Sequence, residues 1–148
     1  GWTALMFAAR AGHYGICELL VDKESCMRLE SGRTALMCAA EAGLVSVVSL
    51  LLPKEGRMKR TDGTTALMCA AQSNCIDVIR LLLPSEKRMQ KLDGETALIR
   101  AIRWSRPEAV RELVKDEYDL NLYDDRTVLD VAKQAGNRDI TEVIFSYV

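Results

Sequence analysis

Threonines stand at positions 3, 34, 65, 96 and 127, an unbroken spacing of 31 residues. Gly1, Gly32, Gly63 and Gly94 precede the first four by two residues. Each threonine opens the same short phrase: Thr3-Ala4-Leu5-Met6, Thr34-Ala35-Leu36-Met37, Thr65-Ala66-Leu67-Met68 and Thr96-Ala97-Leu98-Ile99. Thr127-Val128-Leu129-Asp130 is a worn copy. Five units without an insertion fill the chain. A period of roughly 20–50 residues marks a solenoid or array in which each unit packs on its neighbours.

The second unit serves as the template. Gly32 supplies a backbone free to take positive φ, and the Thr34 hydroxyl can cap the amides that follow. Ala35, Leu36, Ala39 and Ala40 then form an apolar stripe at helical period, and the small alanines let neighbouring helices approach closely. Gly43 ends this helix, as do Gly12, Asn74, Ser105 and Gly136 in the same slot. Leu44, Val47, Val48, Leu51 and Leu52 mark a second helix, which Pro53 and, one unit on, Pro84 are expected to stop. A polar connector follows, with Met27, Met58, Met89 and Leu120 as its one recurrent apolar anchor. Asp62-Gly63 and Asp93-Gly94 close it with a dipeptide that favours tight hairpin turns. Apolar residues make up 49% of the chain but aromatics only 5%, so the core is aliphatic and suits packed helices.

Turn-glycine, x, T-A-L-x-x-A-A-x-x-G and an aliphatic second helix resemble the ankyrin repeat over essentially the whole chain. The resemblance implies an all-α solenoid of five repeats, each with two antiparallel helices and a short hairpin-like connector. It makes residues 1–148 one domain, with repeats at about 1–31, 32–62, 63–93, 94–124 and 125–148. Two departures stand out. Ala4, Ala35, Ala66 and Ala97 replace the family's usual proline, and Met6, Met37, Met68 and Ile99 replace its usual histidine. In the family that imidazole links adjacent turns, so these hairpins are expected to rely more on packing and to be looser than in consensus repeats. The period is also shorter than the usual length of about 33. The T-A-L-M-x-A-A variant resembles repeats of large protozoan ankyrin proteins, some fused to a NimA-like kinase domain.

The resemblance further implies a concave face, made by the connector tips and the outer side of each first helix, that binds a partner protein. Mapped onto this chain, the face comprises Trp2, Arg10, Arg33, Glu41, Thr64, Gln72, Glu95, Arg103, Trp104, Tyr123, Arg126 and Gln134. Trp and Arg are enriched at binding hot spots. Trp104 replaces Ala11, Ala42, Ser73 and Ala135 of the other units, so it reads either as a contact residue or as cover for Arg100 or the adjacent helix. Two further readings keep the fold and change what it is for. In one the chain is a regulatory or targeting arm of a NimA-like kinase; in the other it is a structural scaffold or spacer.

The ends of the series differ. Arg100 and Ile102 already depart from the small or apolar pattern of their slots. Asp130, Lys133 and Thr141 then put polar groups where a sixth unit would pack, as a terminal cap requires. The first unit shows no such polar face. Repeats or another domain are therefore expected ahead of Gly1, in a longer protein.

Other classes find little support. Net charge is −1, which favours neither nucleic acid nor an anionic membrane. The apolar run from Leu44 to Leu52 is far shorter than the roughly 20 residues of a spanning helix. Cys17, Cys26, Cys38, Cys69 and Cys75 are odd in number and lack a C-x-x-C pair, so they read as buried free thiols in a reducing, cytoplasmic setting. His13, the lone histidine, reads as a turn residue and leaves no ligand set for zinc. No catalytic residue, metal or cofactor is expected. The carboxylates look scattered over exposed positions, and the domain is expected to be a monomer. Lys54, Arg57, Lys59, Arg60, Lys87, Arg88 and Lys91 make the middle connectors basic. Asp116, Glu117, Asp119, Asp124 and Asp125 make the last one acidic, either as a solvated surface or as a gradient that orients a partner.

Overall fold

The computed structural model describes residues 1–147. These form ten helices in five consecutive hairpins: α1 (Ala4–Ala11) with α2 (Tyr14–Glu24), α3 (Ala35–Glu41) with α4 (Val45–Glu55), α5 (Ala66–Ser73) with α6 (Ile76–Glu86), α7 (Ala97–Arg103) with α8 (Pro107–Glu117), and α9 (Val128–Ala135) with α10 (Arg138–Phe145). The first helices stack on one another in one layer and the second helices in another. The core is continuous along the stack. Leu36, Met37, Leu51, Leu67, Met68, Ile79, Leu82, Leu98, Ile99 and Ile102 are essentially inaccessible. So are the alanines Ala39, Ala40, Ala70, Ala71 and Ala101, whose small side chains set the spacing of the first-helix layer.

Local chemistry follows the expected pattern at the helix starts. The hydroxyls of Thr3, Thr34, Thr65, Thr96 and Thr127 each accept from the amide three residues on. Positive φ follows each first helix, at Gly12, Gly43, Asn74, Ser105 and Gly136. The prolines do not act as expected. Pro53 and Pro84 lie inside α4 and α6, which run two residues further. The carbonyl each proline leaves without an amide belongs to Ser49 or Arg80, both exposed, where water can serve it.

The connectors form hairpins. Within them the amides of Leu29, Arg60, Lys91 and Leu122 donate to the carbonyls of Arg33, Thr64, Glu95 and Arg126. Neighbouring hairpins are joined in turn: Thr61 donates to the Ser31 carbonyl, Leu92 to Asp62 and Tyr123 to Asp93. Gly32, Gly63 and Gly94 sit at φ +79, +88 and +84. A Cβ at those glycines would come within 2.8, 2.8 and 2.6 Å of the next hairpin's backbone, so glycine is required on two grounds.

The anchor of each connector is not the methionine. Met27 is 49% exposed, and Met58, Met89 and Leu120 are only partly covered. Three glutamates are buried instead, at the end of each inner second helix: Glu55, Glu86 and Glu117. One carboxylate oxygen of each accepts the amide of Leu36, Leu67 or Leu98 at 2.7, 2.8 and 2.9 Å, in the first helix of its own hairpin. The other accepts the amide of Cys26, Arg57 or Arg88 in the preceding connector, at 3.0, 3.0 and 2.9 Å. Those three donors all have positive φ, which turns their amides toward the next unit. The carboxylates are thus not all on exposed positions, and hydrogen bonds as well as packing hold the connectors. Glutamate supplies the link between units that methionine cannot. Burial raises the pKa of each of the three, and the amide donors oppose the shift.

All five thiols are free, but not all are buried: Cys26 is exposed and Cys75 half-buried. Burial pushes the Cys69 thiol up to about 11, which keeps it neutral and apolar in character. Among the described residues, no helix is long and apolar enough to cross a membrane.

Candidate functional site

The hairpin returns the chain over the outer side of the helix it precedes. The second residue of each unit therefore faces a helix residue eight positions later. The five pairs are Trp2 with Arg10, Arg33 with Glu41, Thr64 with Gln72, Glu95 with Arg103, and Arg126 with Gln134. Four of them are in direct contact. The Arg10 guanidinium lies 5.6 Å from the Trp2 ring centroid. Arg33 forms an ion pair with Glu41. Arg103 donates to Glu95 Oε1 at 3.0 Å, and Arg126 to Gln134 Oε1 at 3.2 Å. Eight of the sequence-predicted residues thus form paired rungs on one face, whereas Thr64 is fully buried and turns its hydroxyl to Asp62 Oδ2 at 2.9 Å instead of presenting it outward.

The rungs are also tied sideways. Arg33 reaches back to the Trp2 ring at 5.7 Å and donates to the Cys38 sulfur at 3.3 Å. Trp2, Arg10, Arg33 and Glu41 line an open cavity of about 420 Å³ between the first two units. Arg103, Arg126 and Gln134 line a second, of about 280 Å³, between the last two. Between these lies a cation cluster. Glu95 is 3% exposed and carries Lys91, Arg100 and Arg103, each at 3.0 Å. Its carboxylate is fully engaged, so what Glu95 presents outward is the three cations it holds. Arg100 also reaches Gln72 at 3.4 Å in the neighbouring unit, while its own Nε is buried without a partner.

Arg100 is the residue that sequence reasoning left out of the face. Its slot holds Phe7, Cys38, Cys69 and Val131 elsewhere, so it reads as drift in the framework. The signal in the sequence was its spacing from Glu95, five residues, alongside Arg103 at eight.

Trp104 and Tyr123 stand apart from both cavities. Trp104 ends α7, is 52% exposed and has no cation over its ring among the described residues. Tyr123 is exposed, and its amide joins two hairpins. Some of the connector charges pair between units. Lys54 meets Asp22 at 2.6 Å, Lys87 meets Asp116 at 3.2 Å, and Arg88 takes Asp119 through both guanidinium nitrogens at 2.8 and 3.0 Å. Arg88 thereby lowers the pKa of the Asp119 carboxyl.

Chemically, the face offers donors and acceptors held in place by ion pairs. Burial raises the pKa of the Cys38 thiol, which keeps it neutral beside Arg33.

A family model described as "Ankyrin repeats (3 copies)" matches residues 1–62, 26–93 and 54–124. A search of curated proteins returned no match. Ankyrin repeats are generally protein–protein interaction modules and are typically not catalytic. With 124 of 148 residues covered by the family model, the chain belongs to the ankyrin-repeat family.

Proposed function

We propose that this domain binds a partner protein without catalysis, on the concave face carried by the paired rungs. One observation supports the reading above the others. The rung positions change identity from unit to unit, through aromatic, cationic, neutral and anionic pairs, while the framework slots around them repeat. A fixed scaffold with variable outward groups is what a recognition surface needs, because prealigned side chains lose little freedom on binding. Arg103 and Trp104 are the first anchors to test. Both are hot-spot residue types, and each has at least a third of its side chain in water.

The test is affinity capture from source lysate with the wild-type domain and an Arg103→Ala, Trp104→Ala double variant. Matched circular dichroism spectra establish first that both are folded. A protein retained by the wild type and weakened about thirtyfold in Kd by the double variant supports the concave face. Equal retention of every captured protein moves binding off the concave face to the second-helix side.

A further inference from the structure

The last two rungs differ from the second in how their charge is answered. In the second unit Arg33 meets a carboxylate of its own rung, Glu41. In the fifth, Arg126 meets the uncharged Oε1 of Gln134. In the fourth, Arg103 meets Glu95 Oε1, while Glu95 Oε2 takes both Lys91 and Arg100. One buried carboxylate therefore serves three cations. The other carboxylates in reach stand on the hairpins, each about half exposed. Asp93 and Asp62 lie 3.7 and 4.0 Å from Lys91, and Asp124 lies 2.7 Å from Arg126. None of them lines the cavity between the fourth and fifth units.

That cavity combines two chemistries. Arg103 and Arg126 are the charged residues that line it, Gln134 adds a carboxamide, and Val131 and Ala135 give it an apolar wall. Arg126 spends Nε and Nη2 on Asp124 and Nη1 on Gln134. Arg103 commits Nη1 alone, and no described residue accepts from its Nε or Nη2. Behind it the Arg100 Nε is buried without a partner. A carboxylate matches the open edge of the Arg103 guanidinium, where two parallel N–H···O bonds form a strong and directional pair. Glutamate fits better than aspartate, because its longer methylene stem has Val131 and Ala135 to lie against. A phosphate is the poorer match, since the second guanidinium already holds Asp124. The first cavity offers no equivalent seat, because Glu41 lines it.

We propose that the cavity between the fourth and fifth units seats a glutamate side chain from an acidic segment of the partner protein. This rests on the concave-face binding proposed above and narrows the partner to one with carboxylates on its contact surface. The glutamate accepts from Arg103 Nε and Nη2, faces Arg126 across the cavity and lays its stem on Val131 and Ala135. Binding is accordingly weakened by salt.

The probe is octaglutamate, acetylated at one end and amidated at the other so that it offers side-chain carboxylates alone. Octaglutamine blocked in the same way is the control. Calorimetric titration at low salt should show octaglutamate bound at least about tenfold more tightly than octaglutamine. Arg103→Gln and Arg126→Gln should each weaken octaglutamate about tenfold, and Arg103→Lys, which keeps the charge and loses the fork, should recover little of that. Arg111→Gln, exposed on α8, should change nothing. Equal binding of the two peptides would overturn the proposal, as would equal losses in all the arginine variants, which report diffuse attraction to any cation. A phosphoserine peptide bound about a hundredfold more tightly at the same arginines would overturn it too, because the seat would then be one for a dianion. Octaglutamate should also displace the partner captured from lysate. A partner that depends on Arg103 and Trp104 but is not displaced would remove the acidic segment and leave concave-face binding standing. A partner indifferent to that double variant would remove concave-face binding itself, whatever the peptides do.

Discussion

At one end of the stack Phe7 and Ile16 stand in water, on slots that are closed in each later unit. At the other end Asp130, Lys133 and Thr141 occupy slots filled in the first four units by buried residues. Those are Met6, Met37, Met68 and Ile99; Ala9, Ala40, Ala71 and Ile102; and Cys17, Val48, Ile79 and Val110. Asp130 and Lys133 are exposed, and Asp130 turns back to form a capping box with Thr127. The glycine requirement lapses there as well. Asp125 keeps positive φ in the slot of Gly32, Gly63 and Gly94, with no following hairpin among the described residues to collide with. One framework therefore carries an apolar face ahead and a polar face behind. In a one-dimensional stack, the residue a slot accepts depends on whether a neighbour covers it.

The largest effect expected from breaking this comparison is at the ladder of glutamates that ends the second helices. Glu86→Ala strands the buried amide of Leu67 and the part-buried amide of Arg57 and should cost about 3–5 kcal/mol. Glu24→Ala at the open end should cost less, about 1–2 kcal/mol, because it frees one amide, that of Leu5, instead of two. Urea denaturation of the two variants measures the difference, and equal losses would mean the ladder does not join units. Next comes Gly94→Ala, which combines positive φ with a 2.6 Å overlap on Tyr123 and should cost about 2–3 kcal/mol. Asp125→Ala, with the φ term alone, should stay below about 1 kcal/mol in the same assay.

A third change sharpens the contrast by making the far end resemble an interior face. Asp130→Met, Lys133→Ala and Thr141→Val together should alter monomer stability by about 1 kcal/mol or less while promoting head-to-tail association. Sedimentation would show the species growing with concentration. A variant that stays monomeric at high concentration would mean that polarity is not what closes this face.

The smallest effect concerns pH. Glu55, Glu86 and Glu117 have raised folded pKa values through burial, so their share of stability grows as pH falls toward the unfolded value of roughly 4.3 and is lost as pH rises through their folded values. Asp22 and Asp119 have folded values lowered chiefly by hydrogen bonds from Lys54 and Arg88. Their share is present above roughly 3.9 and lost as pH falls through those folded values. Melting temperature should rise slightly between pH 7.5 and 5, and Glu86→Gln should flatten that rise. A wild-type melting temperature that falls over the same interval would contradict the raised values.

Much of the architecture was legible because it repeats. The threonine caps, the left-handed helix ends and the turn glycines each recur at 31 residues and obey local chemistry. The same reading took the rung residues as outward because they vary, but Thr64 and Glu95 are buried. It missed the ladder, although 24, 55, 86 and 117 share the period. A glutamate at the polar end of a helix looks solvated, and only the approach of two neighbouring amides makes its burial tolerable. The proline stop failed for a related reason: whether a lost amide bond ends a helix depends on what else satisfies the freed carbonyl.

The sequence by itself determined the unit, its length, its two helices and its linear stacking, because those follow from periodicity and short-range capping. Only the tertiary structure decided that Glu55, Glu86 and Glu117 join the units and that hairpin and helix residues pair across the outer face. Both arrangements depend on groups brought together by folding: amides from two chain segments at each buried carboxylate, and side chains eight residues apart across a turn.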